Sequence, residues 1–202
     1  MIIPGPTRGE QTRQAILQAA HDLFIQQGYH GTSMRQIARD ADIALGGLYN
    51  HFVSKEAVFE AVFLAFHPYH QLMPLIQDAR GDNLEQLVQD IVKRMIQGVE
   101  RHPDFMNLMF IEMVEFKSLH AKQLFSSLFP QEMQLLHNFV ESYPEQIRPI
   151  PSPMLVRTFL GMFFGYYLYE KVLALGATTE FQQDAMQYFV DIYLHGILAS
   201  TQ

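Results

Sequence analysis

The chain has 202 residues, a length that fits one domain or two small ones. Apolar residues make up 49% of it and charged residues 17%, a composition that excludes an extended disordered or collagen-like chain. The absence of cysteine excludes disulfides, thiolate metal sites and cysteine nucleophiles. A formal charge of -7 argues against a generic nucleic-acid-binding protein.

The sequence carries no sign of export or membrane insertion. Its N-terminus lacks the basic start and apolar run of a secretory signal. The longest apolar uncharged stretch, residues 158–169, is shorter than a membrane-spanning helix requires. We therefore expect a cytoplasmic protein with no membrane partner.

Helical periodicity runs along the chain, without strand-like alternation or an internal repeat, so the predicted class is all-α. The predicted helices cover residues 12–27, 33–40, 44–52, 54–66, 83–101, 103–115, 121–143, 154–175 and 179–199. Residues 1–11 are predicted to form a mobile arm and residues 144–153 a proline-rich loop. Pro130 is expected to bend or restart the helix that contains it.

Local signals mark the ends of the first helices. Gly28 is placed for a left-handed C-terminal cap, and Ser33 followed by Gln36 forms a capping-box pattern. Asp42 can turn the chain because aspartate tolerates positive φ. Ser54 is placed to cap the fourth helix. Three short helices joined by tight turns, with the small residue Ala38 at the crossing, are typical of a helix-turn-helix.

These residues carry a family resemblance. The run Thr12 to Ala20 resembles the start of the DNA-binding domain of the tetracycline-repressor (TetR) family. Shorter segments that follow it at set spacing resemble the same domain: Leu23-Phe24, Gly28-Tyr29, Thr32-Ser33, Ile37-Ala38, Leu48 to Phe52 and Ser54 to Glu56. The resemblance implies a helix-turn-helix domain at residues 1–53 and a helical ligand-binding and dimerisation domain at residues 54–202.

The resemblance also implies DNA contacts. Tyr49, His51 and Lys55 would contact phosphates, and Ser33 would cap the second helix and touch the DNA backbone. Arg35 would read a guanine edge. The start of the recognition helix would be formed by Ala44, Leu45, Gly46 and Gly47. Leu45, Gly46 and Gly47 offer no side-chain hydrogen bond, so readout there must come from backbone groups, thymine methyls or DNA shape.

The acidity lies mostly outside this region, because residues 1–60 carry a net charge of -1 and residues 61–202 a net charge of -6. The second region is rich in methionine and aromatic residues, which suit an apolar or aromatic ligand. The residues predicted to contact that ligand are Met106, Met109, Phe110, Met113, Phe125, Met133, Phe163 and Tyr167. The alternative for each of them is an ordinary core position.

The helix predicted at residues 154–175 is apolar nearly all round, so it must be buried on two sides. Gly161, Gly165, Leu168 and Val172 would allow close contact with another helix. In the family, the last two helices form a four-helix bundle with the partner subunit. The alternative is a central helix of a monomer.

Signals for enzyme activity are poor. His67 and His70 are three residues apart, but Pro68 breaks the helical register between them, so we interpret them as a helix-end feature. No phosphate-binding glycine loop or nucleophile elbow is present. We predict no catalytic residue, no metal and no cofactor.

The resulting prediction is a homodimeric transcriptional regulator, with a repressor favoured. It would bind a palindromic double-stranded DNA operator and respond to a small-molecule effector that shifts the helix at residues 54–66. The alternative is a helical small-molecule-binding protein, or an enzyme, without DNA binding.

Overall fold

The structure is a computed structural model that describes residues 5–127, 134, 143, 146–169 and 185–197. These residues are mostly helical and contain no strand of two or more residues, which confirms the all-α class. The helices are α1 (Arg8–Gly31), α2 (Met34–Asp40), α3 (Leu45–His51), α4 (Lys55–Phe66), α5 (Tyr69–Gln77), α6 (Leu84–Glu100), α7 (Phe105–Glu115), α8 (residues 119–127 of the described chain), α9 (Ser152–Tyr167) and α10 (Ala185–Ile197).

The first helix starts earlier than predicted. The expected mobile arm ended at residue 11, but α1 begins at Arg8. Thr7 and Glu10 form a capping box, in which the Thr7 hydroxyl accepts from the N–H of Glu10 and the Glu10 carboxylate accepts from the N–H of Thr7. The Thr-x-x-Glu spacing was present in the sequence and would have given the right start.

The predicted caps of α2 and α4 and the turn before α3 are confirmed, whereas Gly28 is a kink within α1 and not its C-terminal cap. Gly28 takes a φ of 75° and a ψ of 173°, and α1 continues beyond it to Gly31. Ser33 and Gln36 form the capping box of α2. Asp42 takes a φ of 54° in the turn before α3, and the hydroxyl of Ser54 caps α4 by accepting from the N–H of Ala57.

The described residues divide into two compact units. One comprises the chain up to residue 68 together with residues 102–125, and the other comprises residues 69–101 with the described residues after 125. The predicted domain boundary after residue 53 is a functional division, and it stays a prediction.

The first unit is built around α1, α4 and α7. Its core consists of buried side chains that lie on or next to α1, α2, α3, α4, α7 and α8: Ile16, Leu17, Ala20, Leu23, Phe24, Ile37, Ala38, Ala41, Leu48, Phe52, Val58, Phe59, Val62, Phe63, Leu108 and Ala121. The Phe24 and Phe59 rings meet edge to face, with centroids 5.4 Å apart. The short helices α2 and α3 are therefore held in place by packing on α1 and α4.

The second unit contains one helix that the sequence did not predict. α5 spans Tyr69–Gln77 although Pro74 lies inside it. It packs on α6 where Gly98 leaves room for it, because a side chain at position 98 would overlap Leu72 of α5. Tertiary packing therefore outweighs the helix-breaking tendency of the proline.

The core of the second unit joins α6, α9 and α10. Its buried residues are Leu84, Val88, Val92, Ile147, Leu155, Val190, Leu194 and Ile197. The loop before α9 is held by Arg148, whose backbone N–H donates to the carbonyl of Ile197 and whose side chain donates to the carbonyl of Gly196, both at 2.8 Å. α9 begins at Ser152, two residues before its predicted start, because Pro153 fits the first turn of a helix.

Some predicted features lie outside the described residues. These are Pro130, Met133 and Val172, most of the helix predicted at residues 121–143, and the ends of the last two predicted helices. Among the helices that are described, none combines the length and the apolar character needed to cross a bilayer.

Candidate nucleic-acid interface

α2 and α3 form a tight helix-turn-helix. The N–H of Ile43 donates to the carbonyl of Ala38 at 2.9 Å, and the N–H of Asp42 donates to the carbonyl of Arg39 at 3.1 Å. Ile37 and Leu48 are completely buried, one from each helix. The inward faces are therefore used for packing, and the opposite faces are left for a partner.

Three of the predicted DNA-contacting side chains lie on that outward surface. Arg35, Tyr49 and His51 are exposed, with Tyr49 50% accessible. Within the described part of the chain, none of the three side chains has a hydrogen bond or an ion pair. A guanidinium, a phenol and an imidazole are thus free to donate to phosphates or base edges.

The first turn of α3 has an apolar surface. Ala44 is its N-cap, and no side-chain hydrogen bond caps the helix. Ala44 and Gly46 are exposed, while Leu45 and Gly47 are half-buried. Apart from its chain neighbours and the backbone of its own helix, a Cβ atom added at either glycine would have no atom of the described chain within 4 Å.

Ser33 caps α2, as the sequence predicted. Its hydroxyl accepts from the N–H of Gln36 at 3.3 Å and donates to the Gln36 side chain at 2.7 Å, which caps α2. Contact between Ser33 and the DNA backbone stays a prediction.

Lys55 has an internal role that the sequence did not reveal. Its Nζ donates to the carbonyl of Tyr29 at 2.6 Å and to that of Thr32 at 2.7 Å, and it lies 4.2 Å from the centroid of the Tyr29 ring. Burial lowers the pKa of Lys55 below its ordinary 10.5, although Glu115 partly opposes this. Since two of the three ammonium hydrogens are used, only one remains for the predicted phosphate contact.

Two further arginines lie near this surface. Arg13 of α1 places its guanidinium 5.3 Å from the centroid of the Phe52 ring, at the end of α3. Arg39 is bound to its neighbour Asp40 at 2.6 Å, and this hydrogen bond raises the pKa of Arg39. Arg13 is therefore a cation beside the recognition helix that sequence reasoning missed.

α7 is attached to the end of α1 within the same unit. The Tyr29 and Phe116 rings meet edge to face at 4.8 Å, and Nε2 of His30 lies 2.6 Å from Oε2 of Glu115. Tyr29 thus contacts Phe116 after α7 and Lys55 at the start of α4. Its burial, followed by the charges of Glu56 and Glu115, raises its pKa.

The completely buried Glu112 organises the start of α8. Its Oε1 accepts from the N–H groups of His120 and Ala121 at 2.7 and 3.0 Å, and its Oε2 lies 2.8 Å from Nδ1 of His120. Lys117 and Ser118 before it take positive φ values of 52° and 61°. The carboxylate satisfies the backbone groups of a tight turn, and no sequence pattern pointed to it.

The predicted ligand-contacting residues fall into both units. Met106 is buried, Met109 and Phe110 are half-buried, and Met113 and Phe125 are exposed, all in the first unit. Phe163 and Tyr167 are buried in the second unit, and Met133 lies outside the described residues. A single pocket lined by this set stays a prediction.

The predicted dimerisation residues are close to an exposed apolar surface in the second unit. Gly161 is exposed and Leu168 is half-buried. A Cβ atom added at Gly165 would lie 4.0 Å from the Phe189 ring. Large exposed apolar side chains lie along α9, just after it and along α10: Met154, Leu160, Tyr169, Tyr188 and Ile192. Their use in a dimer also stays a prediction.

No group of three or more histidine or acidic side chains in the described part of the chain could hold a metal ion. Two open grooves of the first unit lie beside α1. One of them has a volume of about 490 Å³ and is lined by Arg13, Phe52, Ala57, Glu60, Ala61, Leu64 and Ala65. Neither groove contains a residue of the predicted ligand set.

Comparison with known proteins agrees with this geometry. Residues 16–62 match the family described as bacterial regulatory proteins, tetR family. The HTH-type transcriptional regulator UidR of Escherichia coli K12 is 43% identical over 58 residues, which is 29% of this chain and 30% of UidR. The match to UidR therefore spans about a third of that relative.

Two further proteins are similar over nearly the whole chain. The HTH-type transcriptional regulator YvkB of Bacillus subtilis 168 is 23% identical over 193 residues, covering 93% of this chain and 98% of YvkB. The crystal structure of Pseudomonas aeruginosa NalD has a TM-score of 0.65 at 22% identity and covers 97% of this chain and all of NalD. The structural likeness shows the fold.

All three are regulators of transcription and none is an enzyme, which agrees with the predicted absence of enzyme activity. The matched residues 16–62 contain the whole of the helix-turn-helix described above. Residues 16–62 of the chain are therefore a helix-turn-helix domain of the kind found in the tetracycline-repressor (TetR) family of bacterial regulatory proteins.

Proposed function

We propose that this chain is a cytoplasmic homodimeric repressor that binds a palindromic DNA operator and is released from it by a small apolar or aromatic molecule. Two copies of α3 would enter successive major grooves, about 34 Å apart or a multiple of that distance. Binding alone would be enough to repress, because an occupied operator excludes other proteins from the same DNA.

One observation carries the proposal. Arg35, Tyr49 and His51 are exposed together on the outer side of a helix-turn-helix whose inner side is completely buried. These are donor groups suited to phosphates and base edges. Because residues 1–60 have a net charge of only -1, affinity would come from a few placed donors, so a modest dependence on salt is expected.

Dimerisation is supported by the second unit. Tyr188 and Ile192 of α10 are 64% and 73% exposed, and Leu160 of α9 is 48% exposed. Exposed apolar side chains on two long helices are typical of a surface that another protein covers. A second copy of the chain satisfies this, since a symmetric operator requires two identical helix-turn-helix domains.

Response to an effector is supported by the contacts between the end of α7 and the end of α1. Glu115 and Phe116 contact His30 and Tyr29, next to the start of α2. An effector that moved α7 would therefore act on the turn that positions the helix-turn-helix. A hundredfold release would require about 2.7 kcal/mol of difference in effector affinity between the two states.

The experiment is selection of binding sites from random DNA duplexes with the full chain, followed by fluorescence anisotropy at several salt concentrations. We expect a palindromic site whose affinity falls as salt rises. Tyr49→Phe should weaken binding to every duplex, and Arg35→Ala should relax preference at one base pair by about 1–3 kcal/mol.

Arg101→Ala is the matched control, because Arg101 is an exposed cation outside the helix-turn-helix. It should leave affinity unchanged. Selection of no duplex, or unchanged affinity and preference in both the Tyr49 and the Arg35 variants, would reject the proposal. Size measurement by light scattering tests the dimer separately.

A further inference from the structure

The recognition helix presents an unusual surface for reading bases. Residues 44–47, its N-cap and first turn, contain no side-chain donor or acceptor. Leu45 is half-buried, so part of its side chain packs on the core of the first unit and the rest is accessible. Arg35, Tyr49 and His51 carry the polar groups, and all three lie outside this turn.

The two glycines beside Leu45 are not required by the fold. Neither takes a positive φ, and a Cβ at Gly46 or Gly47 would meet no atom of the described chain within 4 Å apart from its chain neighbours and the backbone of its own helix. By contrast, Gly28 has a φ of 75° and Gly98 has no room for a side chain. Since glycine weakens a helix relative to alanine, positions 46 and 47 are better explained by the close approach of another molecule.

The chemistry of the major groove then limits what this turn can recognise. Base edges there offer hydrogen-bonding groups and a single apolar group, the C5-methyl of thymine. Leu45 and the methyl of Ala44 can bury that methyl, whereas they would leave the polar edges of a G·C pair without partners. The glycines on either side allow the helix to come close enough for this contact.

We infer that Leu45, with Ala44, determines specificity by contacting the C5-methyl group of a thymine, so that each operator half-site has an A·T pair facing the first turn of α3. This inference rests on the proposed function, because it assumes that α3 enters the major groove. It adds the kind of base pair that the helix accepts and the residue that selects it.

The test uses the operator obtained by selection, with each thymine replaced singly by deoxyuridine. The replacement removes one methyl group and leaves base pairing unchanged. We expect about fourfold weaker binding at one position of each half-site, equivalent to about 0.8 kcal/mol at 1.4 kcal/mol per tenfold. Replacing both symmetric thymines should weaken binding about fifteenfold.

Protein variants identify the residue responsible. In Leu45→Ala the thymine and deoxyuridine operators should bind equally, while in Leu45→Met, which keeps a long apolar side chain, the difference should remain. Arg35→Ala is the control and should keep the full difference, since Arg35 lies on α2. Circular dichroism checks that each variant is folded, and the deoxyuridine measurement on the unchanged protein needs no variant.

The inference would be overturned if no single deoxyuridine replacement changed affinity in the unchanged protein. It would also be overturned if a folded Leu45→Ala kept the full difference. Failure of the proposed function looks different, because then selection would return no duplex on which to place deoxyuridine.

Discussion

Replacing Lys55 by methionine separates a structural from a DNA-binding role for this residue. Methionine keeps most of the apolar stem and removes the ammonium group, which donates to the carbonyls of Tyr29 and Thr32 at 2.6 and 2.7 Å. Hydrogen bonds from a charged donor contribute about 1.5–3 kcal/mol when fully buried, but Lys55 is partly exposed. We expect a loss of about 1–2 kcal/mol in the free energy of unfolding.

The assay is thermal unfolding followed by circular dichroism, together with hydrogen exchange at residues 28–33. A loss of 1–2 kcal/mol corresponds to about 2–8 °C in Tm for a chain of this size. Faster exchange should be confined to the turn between α1 and α2. Arg39→Met is the matched control, because the Arg39 side chain is 70% exposed and Asp40 is its one ion-pair partner among the residues that the structure describes, so its removal should change Tm little. An unchanged Tm for Lys55→Met, with only DNA affinity reduced, would refute the structural role.

Three further predictions concern stability. Ala44→Ser supplies the missing N-cap of α3 and should raise the free energy of unfolding by about 1 kcal/mol, so an unchanged thermal midpoint would contradict it. Glu112→Gln replaces a buried acceptor near His120 by an amide donor and should cost about 1–3 kcal/mol, measured by urea unfolding, whereas a neutral effect would mean that the turn rearranges. Hydrogen bonds from the Arg80 backbone and the Arg94 side chain lower the pKa of Asp90 below its ordinary 3.8. The stability they provide is therefore present above that pH and lost as the pH falls through the lowered pKa, and Asp90→Asn should make the second unit's acid unfolding less steep.

Much of the helix-turn-helix could be predicted from local sequence. The capping box of α2, the positive φ of Asp42 and the cap at Ser54 each depend on residues within a few positions of one another. Such local rules act on the backbone directly, so they can be recognised without a fold. The same kind of rule would have placed the start of α1, because Thr7 and Glu10 have the required spacing.

Features that depend on distant contacts could not be predicted in this way. α5 contains Pro74 and forms against α6, where Gly98 leaves space for it. The internal bonds of Lys55 join it to residues 23 and 26 positions earlier. A lysine at a helix start has the same sequence signature whether it contacts phosphate or a carbonyl group.

The same limit applies to the buried acid of α7. In the sequence, Glu112 is one polar residue among apolar neighbours, and an exposed position is the usual expectation. Its burial depends on the turn at Lys117 and Ser118, which brings the N–H groups of His120 and Ala121 to its carboxylate. Only the folded turn shows that the buried Glu112 side chain has hydrogen-bond donors as partners.

The glycines show what the structure adds to a family resemblance. Gly28 and Gly98 are explained within the chain, one by its positive φ and the other by the lack of space for a side chain. Gly46, Gly47 and Gly161 have ordinary φ values and open space where a side chain would be, so packing within the described residues does not explain them. The first two lie on the surface for which we propose DNA, and the third lies on the surface for which we propose a second copy of the chain. Glycine lowers the stability of a helix relative to alanine at all three positions. The close approach of the proposed partners, DNA and a second copy of the chain, is one physical cause that explains them all.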